Sequence, residues 1–508
     1  MSPPSPRPAV RLRFAAWCAC VAALLVGTPI WLLLLRGTRL LDNDPILFTG
    51  WIVLGGICLI LAGLLWTTPA DAIKLPARRS GIIIVVGAIW LHAWAIVCLQ
   101  PLLSDDAIRY RFDGRMLLSG HSPYAVSPDD VFASTAPPIR LDSLDAMIAH
   151  SYSRTIYPPT LQAWFAILAF VERSTVSPPE TWSIASGTRS MRSDLPNLPF
   201  PQRLLVWRIG HAVLAVGCVL VLLSLLKRMD RSPWWAAVVG WHPLLIVETA
   251  GMAHGDVLGV LLLLVAFHAL SGERPAAAMV WIGLAAMVKP IALLAGLLVL
   301  RRVVATQPRR VPALLAVLIL TVALPMLPIL LHAPSRAGLL ETADRYARRW
   351  AANGPVHEIA IARFREIDGD DFHWERRSGQ IRAGAAIALV CLTAMLLSIG
   401  PTATGGFYGG LLVALLLSSV VYPWYLLWVM AALPLLPRWA GLTGLTWCAT
   451  VVLCYSTWHA PTWDVPVRLM FVEYVPVMLA GIVEIALIFR SRDHGLPVSR
   501  AGSTIADV

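Results

Sequence analysis

Long runs of apolar residues recur along the whole chain, and short polar segments separate them. Most runs are about 17 to 25 residues long, which is the length that an α-helix needs to cross a bilayer. The first run exceeds the apolar core of a signal peptide, and no Ala-x-Ala-like site follows it, so we expect a retained membrane helix. The pattern predicts an all-α polytopic membrane protein with about 13 or 14 transmembrane helices, from apolar runs at 14–35, 46–66, 81–100, 203–226, 233–250, 255–271, 276–301, 311–332, 381–400, 405–421, 424–437, 439–458 and 468–489.

Two long polar stretches interrupt this pattern, and loops of such length are usually functional. The run 276–301 contains Lys289-Pro290 at its middle, so it is either one helix or a hairpin. The predicted organisation is N-terminal transmembrane helices in 1–100, an external loop with the candidate catalytic motif in 101–202, central transmembrane helices in 203–332, a second external loop in 333–380, C-terminal transmembrane helices in 381–492 and a cytoplasmic tail in 493–508.

Composition and charge support this class. Hydrophobic residues make up 57% of the chain and charged residues only 14%, against roughly 25% in an average soluble domain. The net charge of +11 comes from short basic clusters between apolar runs, which indicates contact with membrane lipids and no nucleic-acid partner. The eight cysteines lie in or against apolar runs, so they predict neither a metal site nor a disulfide framework.

The basic clusters also predict the side on which each loop lies. The side of the downstream loops depends on whether a weaker apolar patch at 157–171 crosses the membrane. If it crossed, most of the basic clusters after it would be translocated, against the positive-inside rule. We therefore expect this patch to form a non-spanning helix against the external face. Both termini are then cytoplasmic, and the external face receives the motifs at 104–124, 254–256 and 422–425.

The first external loop opens with the residues most able to carry chemistry. In a helix, Asp106, Arg109, Tyr110 and Asp113 share one face. Two adjacent carboxylates, Asp105 and Asp106, directly follow a membrane helix, where each is costly unless it faces water, a partner or substrate. A carboxylate in this place can act as a general base. A solvated juxtamembrane helix with internal ion pairs is the alternative interpretation.

The stretch 104–124 resembles the first-loop signature of bacterial GT-C superfamily membrane glycosyltransferases that use polyprenyl-phosphate mannose, approximately S-D-D-x-Y-R-Y-x-W-D-G-R and then G-x-N-P-Y. Ile108, Phe112 and Ser122 depart from that pattern, where Tyr, Trp and Asn are usual. The matching residues are Ser104, Asp105, Asp106, Arg109, Tyr110, Asp113, Gly114, Arg115, Gly120, Pro123 and Tyr124.

Three later segments are similar to motifs of the same group, in the same order. They are YPPTLQ beginning at Tyr157, the Trp-His-Pro-Leu segment that ends in His254-Gly255-Asp256, and a late Pro-Trp-Tyr motif with Trp424 and Tyr425. Here His242 and Ala253 stand where Asn and Gly are more usual in the group. The alternatives are a proline-started helix, a structural histidine and an aromatic belt at the membrane interface.

Lys289 is the most isolated charge in the sequence. An ionisable residue inside an apolar run is a functional hypothesis by default, with snorkelling to the interface as the alternative. The family resemblance favours the functional interpretation, because its members often carry a Lys before a Pro-containing stretch here.

The resemblance implies a GT-C type fold in the cytoplasmic (inner) membrane, with its active site on the external, periplasmic face. The implied reaction transfers a sugar, most often mannose in that group, from a polyprenyl-phosphate donor to a hydroxyl of a glycan or lipid-linked acceptor, with inversion. Asp105 or Asp106 is the expected base. The expected donor-phosphate or substrate ligands are Arg109, Tyr110, Asp113, Arg115, Tyr157, His254, Asp256, Lys289, Trp424 and Tyr425. The sequence leaves a metal cofactor open, because Asp105 and Asp106 are compatible with Mg²⁺ or Mn²⁺ but do not require either.

Two other classes remain open from the sequence. One is a glycan polymerase or ligase with a diphosphate-linked donor, for which the arginines of the second loop, such as Arg345 and Arg348, are suitable. The other is a transporter or lipid-linked oligosaccharide flippase, although the chain has no visible internal repeat.

Overall fold

The chain folds into helices and short helical turns. The computed structural model describes residues 8–36, 44–67, 75–101, 103–176, 202–399, 402–459 and 467–493. Within these ranges there is no strand, and only isolated bridges join Ala352 and Asn353 to Val420. The predicted all-α class is confirmed. The predicted tail from residue 494 onward and residues 177–201 of the predicted first loop lie outside the described residues.

Seven helices are long and apolar enough to cross a membrane, in agreement with a polytopic membrane protein. A helix satisfies its backbone hydrogen bonds internally, so these apolar stretches can lie in lipid without unpaired polar groups. The seven are Leu12–Leu34, Asp44–Thr67, Ala77–Cys98, Leu204–Arg228, Pro308–Leu331, Trp374–Ile399 and Arg468–Arg490.

The remaining apolar runs form shorter or broken helices, so fewer helices of spanning length are described than the predicted 13 or 14. Prolines explain the breaks, since they cannot donate the backbone hydrogen bond of a continuing helix. The run 233–250 is interrupted at His242-Pro243, between Trp235–Gly240 and Pro243–Ile246. The shorter apolar helices are Asp256–Leu270, Pro275–Ala286, Ala403–Leu417, Pro423–Leu435 and Leu442–Ser456.

The run 276–301 is a hairpin. Its first helix, Pro275–Ala286, ends before Lys289, whose backbone is extended, and the second helix spans Leu293–Thr306. A Cβ on Gly296 would lie 3.4 Å from Ile282, so the two halves pack side by side with Lys289 at the bend.

The two ends of the helix bundle differ chemically. At one end, Arg13 donates to the Thr67 carbonyl, Arg228 donates to the His268 carbonyl, and Arg231 donates to the Leu436 carbonyl. We call it the basic end. An aromatic cluster lies beside these arginines and joins several helices there, formed by Trp17, Trp66, Trp234, Trp235 and Trp439. Such clusters are typical of membrane interfaces.

At the opposite end, the first-loop helix, Asp106–Leu118, pairs with the Pro-Pro helix, Pro159–Thr175. Gly114 allows their close approach, because a Cβ there would lie 2.4 Å from the Phe165 carbonyl oxygen. The Pro-Pro helix therefore lies along the first-loop helix at this end of the bundle, and it is not among the seven long apolar helices. We call this end the site end.

A buried ionic cluster holds the first loop together. The Arg111 guanidinium, 1% exposed, contacts Asp142 at 2.8 Å, Asp145 at 3.6 Å and Glu172 at 2.8 Å. Arg115 adds a second contact to Asp145 at 3.0 Å. The sequence motif gave no role to Arg111, whose partners lie 31 to 61 residues away.

The second loop packs over the first. Its helices are Ala333–Arg349 and Pro355–Asp368. Ser335 lies 2.7 Å from Ser122 through their hydroxyls, and Arg345 donates to the Ser153 hydroxyl. Arg345 is thus engaged with the first loop.

Candidate functional site

Segments that are distant in sequence meet at the site end of the bundle. The first-loop helix brings Asp106, and the chain before the Pro-Pro helix brings Tyr157. The turn Ala253–Asp256, which we call the HGD turn, brings His254. Trp424, in the segment Tyr422–Tyr425, stacks on the His254 ring at a centroid distance of 3.9 Å. Four of the sequence-predicted site residues therefore form one cluster.

The Asp106 carboxylate lies at the centre of this cluster. Its Oδ1 accepts a hydrogen bond from the Tyr157 hydroxyl at 2.9 Å, and its Oδ2 lies 3.5 Å from His254 Nε2. The side chain remains 24% exposed, so a substrate group can reach it. Burial by itself would raise the pKa of Asp106, but the His254 and Tyr157 contacts outweigh it and lower the pKa. The carboxylate is therefore ionised at neutral pH.

The neighbouring Asp105 is placed differently. Its Oδ2 accepts a hydrogen bond from the backbone N–H of Ala149 at 2.8 Å, which ties it to the loop before the Pro-Pro helix. The two adjacent carboxylates thus have different partners, a distinction that the motif alone did not make. The Asp106 carboxylate contacts the Tyr157 phenol and the His254 imidazole.

The HGD turn is held in a strained and closely packed conformation. Ala253 has φ of 60°, a region in which glycine is more usual. The next residue but one, Gly255, could not carry a Cβ without approaching the Leu161 side chain to 2.6 Å. A glycine would adopt this φ without the steric cost that the Cβ of Ala253 brings. The residue after this strained position is His254, whose Nε2 faces Asp106.

His254 is charged in this environment. It lies 2.8 Å from Glu248 through Nδ1 and faces Asp106 through Nε2. Burial opposes protonation, but the carboxylates of Asp106 and Glu248 raise the pKa of His254 to about 9. Glu248 is fully buried and also accepts from the Tyr455 hydroxyl at 2.9 Å. Neither Glu248 nor Tyr455 was predicted, because both lie in apolar runs and only the tertiary fold brings them to the turn.

A second charged pair lies beside the first. Lys289 Nζ donates to Asp256 Oδ1 at 2.7 Å, and the Trp428 indole N–H donates to the same oxygen at 2.7 Å. The ammonium also lies 3.1 Å from the centroid of the Tyr425 ring, a cation–π contact. The Lys289 side chain is 25% exposed, so it does not snorkel away from the protein but points toward Asp256. An ammonium has three donors, and the carboxylate and the ring do not use all of them.

The other predicted ligands have protein partners. Arg109 donates to Asp113 at 2.9 Å and to the Ser153 carbonyl at 2.8 Å. Tyr110 is 2% exposed and stacks on Phe165. These residues support the first-loop helix from its buried side.

Arg115 lies in the ionic cluster with Asp145, with 14% of its side chain exposed. No contact joins it to Asp106, His254 or Lys289 in the described part of the chain.

The described ranges contain no group of three or more His, Cys, Asp or Glu side chains arranged to hold a metal ion. Both oxygens of Asp106 already face protein donors.

Comparisons with known proteins give no further guidance to this site. No protein-family model matches the chain, no curated protein matches it, and no solved structure matches its fold.

Proposed function

We propose that the protein is an integral membrane glycosyltransferase that moves a sugar from a polyprenyl-phosphate donor to an acceptor hydroxyl. The observation that carries the proposal is the Asp106 carboxylate, ionised, 24% exposed and bracketed by Tyr157 and His254 at the site end. Beside it, Asp256 of the HGD turn pairs with Lys289 at the bend of the hairpin, and Lys289 supplies a partly exposed cation. A base and a cation are the two groups that the transfer needs.

The proposed reaction is a direct displacement. The acceptor oxygen attacks the anomeric carbon while Asp106 takes the hydroxyl proton. The bond between the anomeric carbon and the phosphate oxygen breaks, and its electron pair leaves with the polyprenyl phosphate. Attack opposite the leaving group inverts the anomeric centre. A positioned base typically contributes about 10²- to 10⁴-fold to such a rate.

Lys289 is the group best suited to the leaving phosphate. The negative charge on the phosphate grows as the bond breaks, and a preorganised cation stabilises that charge most strongly where water is excluded. Asp256 holds Lys289 from one side, and the Trp428 indole N–H fixes the Asp256 carboxylate in turn, so the ammonium is oriented before the donor binds.

The arrangement of charge also supports an external site in the cytoplasmic membrane. Arg13, Arg228 and Arg231 lie at the basic end, opposite Asp106. Basic residues are retained on the cytoplasmic side, so the site end faces outward in this proposal. Nucleotide sugars are not available there, which favours a lipid-linked donor.

The test uses the purified full-length protein in nanodiscs with a crude envelope fraction as acceptor. Polyprenyl-phosphate mannose is expected to support sugar transfer, while GDP-mannose and a polyprenyl-diphosphate glycan are not. Transfer from the diphosphate-linked glycan alone would favour a polymerase or ligase. Transport of a lipid-linked oligosaccharide across the bilayer without any new glycosidic bond would favour a flippase.

Replacement of Lys289 by Met is expected to reduce kcat by about 10²-fold, as for the loss of one preorganised group that stabilises developing negative charge. Lys289→Arg keeps the charge and should retain more activity. Lys227→Met, at an exposed position beside Arg228, is the matched control and should leave transfer unchanged. Equal activity of Lys289→Met and the control would remove Lys289 from the mechanism.

A further inference from the structure

Glu248 is a buried carboxylate to which the proposed reaction assigns no step. Its side chain is inaccessible to solvent, and a carboxylate oxygen lies 2.8 Å from His254 Nδ1. The Tyr455 hydroxyl lies 2.9 and 3.0 Å from its two carboxylate oxygens. A buried charge in an apolar run is costly unless it is paired and hydrogen-bonded, so its retention calls for a role.

We infer that Glu248 is a positioning residue for the transfer reaction, and that it holds the His254 ring with Nε2 toward Asp106. The inference rests on the proposed function, because that function identifies Asp106 as the base. Glu248 would act only through His254 and would not touch substrate.

The geometry leaves the His254 ring one orientation. Glu248 occupies the Nδ1 edge at 2.8 Å, and its backbone carbonyl accepts from the His254 backbone N–H at 2.8 Å. Trp424 covers one face of the ring at 3.9 Å, with the planes 18° apart. With one edge and one face fixed, the opposite edge points at Asp106.

The backbone at Glu248 also departs from a regular helix. Residues Val247–Gly251 form a π-helical turn, which widens the helix by one residue per turn, and such turns occur frequently at functional sites. The turn connects the broken segment at Pro243 to the HGD turn. It therefore presents Glu248 and His254 on the same side.

The surrounding charges favour a protonated His254 between two carboxylates. The raised pKa of His254, about 9, agrees with this arrangement. Two carboxylates flank one imidazolium, so the loss of either negative charge should lower the pKa of His254. In the described part of the chain, the titratable groups that face this ring or its carboxylate partners are Asp106, Tyr110, Tyr157, His211, Glu248, Lys289, Tyr346, Tyr422, Cys454 and Tyr455.

The test is a double-mutant cycle of Glu248→Gln and His254→Gln, with kcat and KM measured from pH 6 to 10 in nanodiscs. Because Gln keeps the shape of Glu but not its charge, Glu248→Gln is expected to lower kcat with little change in KM. It should also move the upper pH limit of activity downward by at least about one unit, a tenfold change in the protonation equilibrium. In the His254→Gln background, Glu248→Gln should have no further effect on kcat.

Thermal unfolding provides a second measurement that does not need turnover. His254→Gln alone leaves Glu248 buried without its cation, so the double variant should unfold at a higher temperature than His254→Gln. Glu248→Asp should restore part of the wild-type pH profile. Glu473→Gln is the matched control: Glu473 is equally buried but contacts Asn353 and Trp447, and its substitution should leave the pH profile of transfer unchanged.

Two outcomes would overturn the inference. One is an unchanged upper pH limit in Glu248→Gln, and the other is an equal loss of kcat in both backgrounds. If the wild-type protein transfers sugar and the variants show either outcome, only the role of Glu248 is rejected. Wild-type protein that transfers no sugar from any donor rejects the proposed function.

Discussion

Replacement of Asp106 by Asn is expected to lower kcat for sugar transfer by about 10²- to 10⁴-fold, the usual contribution of a positioned base. The amide cannot take the acceptor proton, but it can still accept from Tyr157, so the local fold should persist. Replacement of Asp105 by Asn removes charge from a carboxylate that binds the Ala149 N–H and should cost much less. Steady-state rates in nanodiscs with a polyprenyl-phosphate sugar measure both.

The comparison of Asp106→Asn with Asp105→Asn separates the effect of position from the effect of chemistry. They are adjacent in sequence and equal in chemistry, so a difference in kcat must come from their surroundings. Thermal unfolding of both variants provides the control for folding. Full activity of Asp106→Asn would exclude it as the base, and a selective loss in Asp105→Asn would transfer that role to Asp105.

The largest effect on stability is expected from Arg111→Met. The substitution keeps a side chain of similar length but leaves Asp142, Asp145 and Glu172 buried around an apolar group. Removing one partner of a buried ionic cluster typically costs about 3–5 kcal/mol, because the remaining charges are uncompensated. Arg115 still reaches Asp145 and can offset part of this loss.

The measurement is thermal unfolding in detergent together with limited proteolysis, which should open the first loop before the bundle. Arg363→Met is the matched control. Arg363 pairs with Glu366 on an exposed surface, where an ion pair contributes about 0–1 kcal/mol. Equal midpoints for Arg111→Met and Arg363→Met would mean that the buried cluster does not hold the loop.

The class of fold could be predicted from the sequence because bilayer thickness dictates the length of an apolar run. The number of spanning helices was less certain for a physical reason. Prolines at 243 and 290 interrupt apolar runs, and the backbone groups freed there depend on neighbouring parts of the fold for partners. Hydropathy therefore counts apolar runs, whereas packing decides whether a run is straight, broken or folded back at Lys289.

Several residues of the candidate site could be predicted from the sequence, but the contacts between them could not. Asp106, Tyr157, His254, Asp256 and Lys289 were accessible to sequence reasoning, because isolated polar residues in an apolar chain are conspicuous and their motifs resemble those of a known group. Their pairing was not accessible. Tyr157 is 51 residues from the carboxylate it contacts, and Trp428 is 172 residues from Asp256.

The sequence by itself determined that this is an all-α protein with apolar helices long enough to cross a membrane. It also singled out a few polar residues as candidates for chemistry, because both properties depend on local composition and spacing. Only the tertiary structure decided that Asp105 and Asp106 have different partners, that Arg111 and Arg115 belong to a buried cluster, and that Glu248 lies behind His254. Those contacts depend on how helices that are distant in sequence pack together. The burial and the neighbours of each charged group follow from that packing, and they set its ionisation.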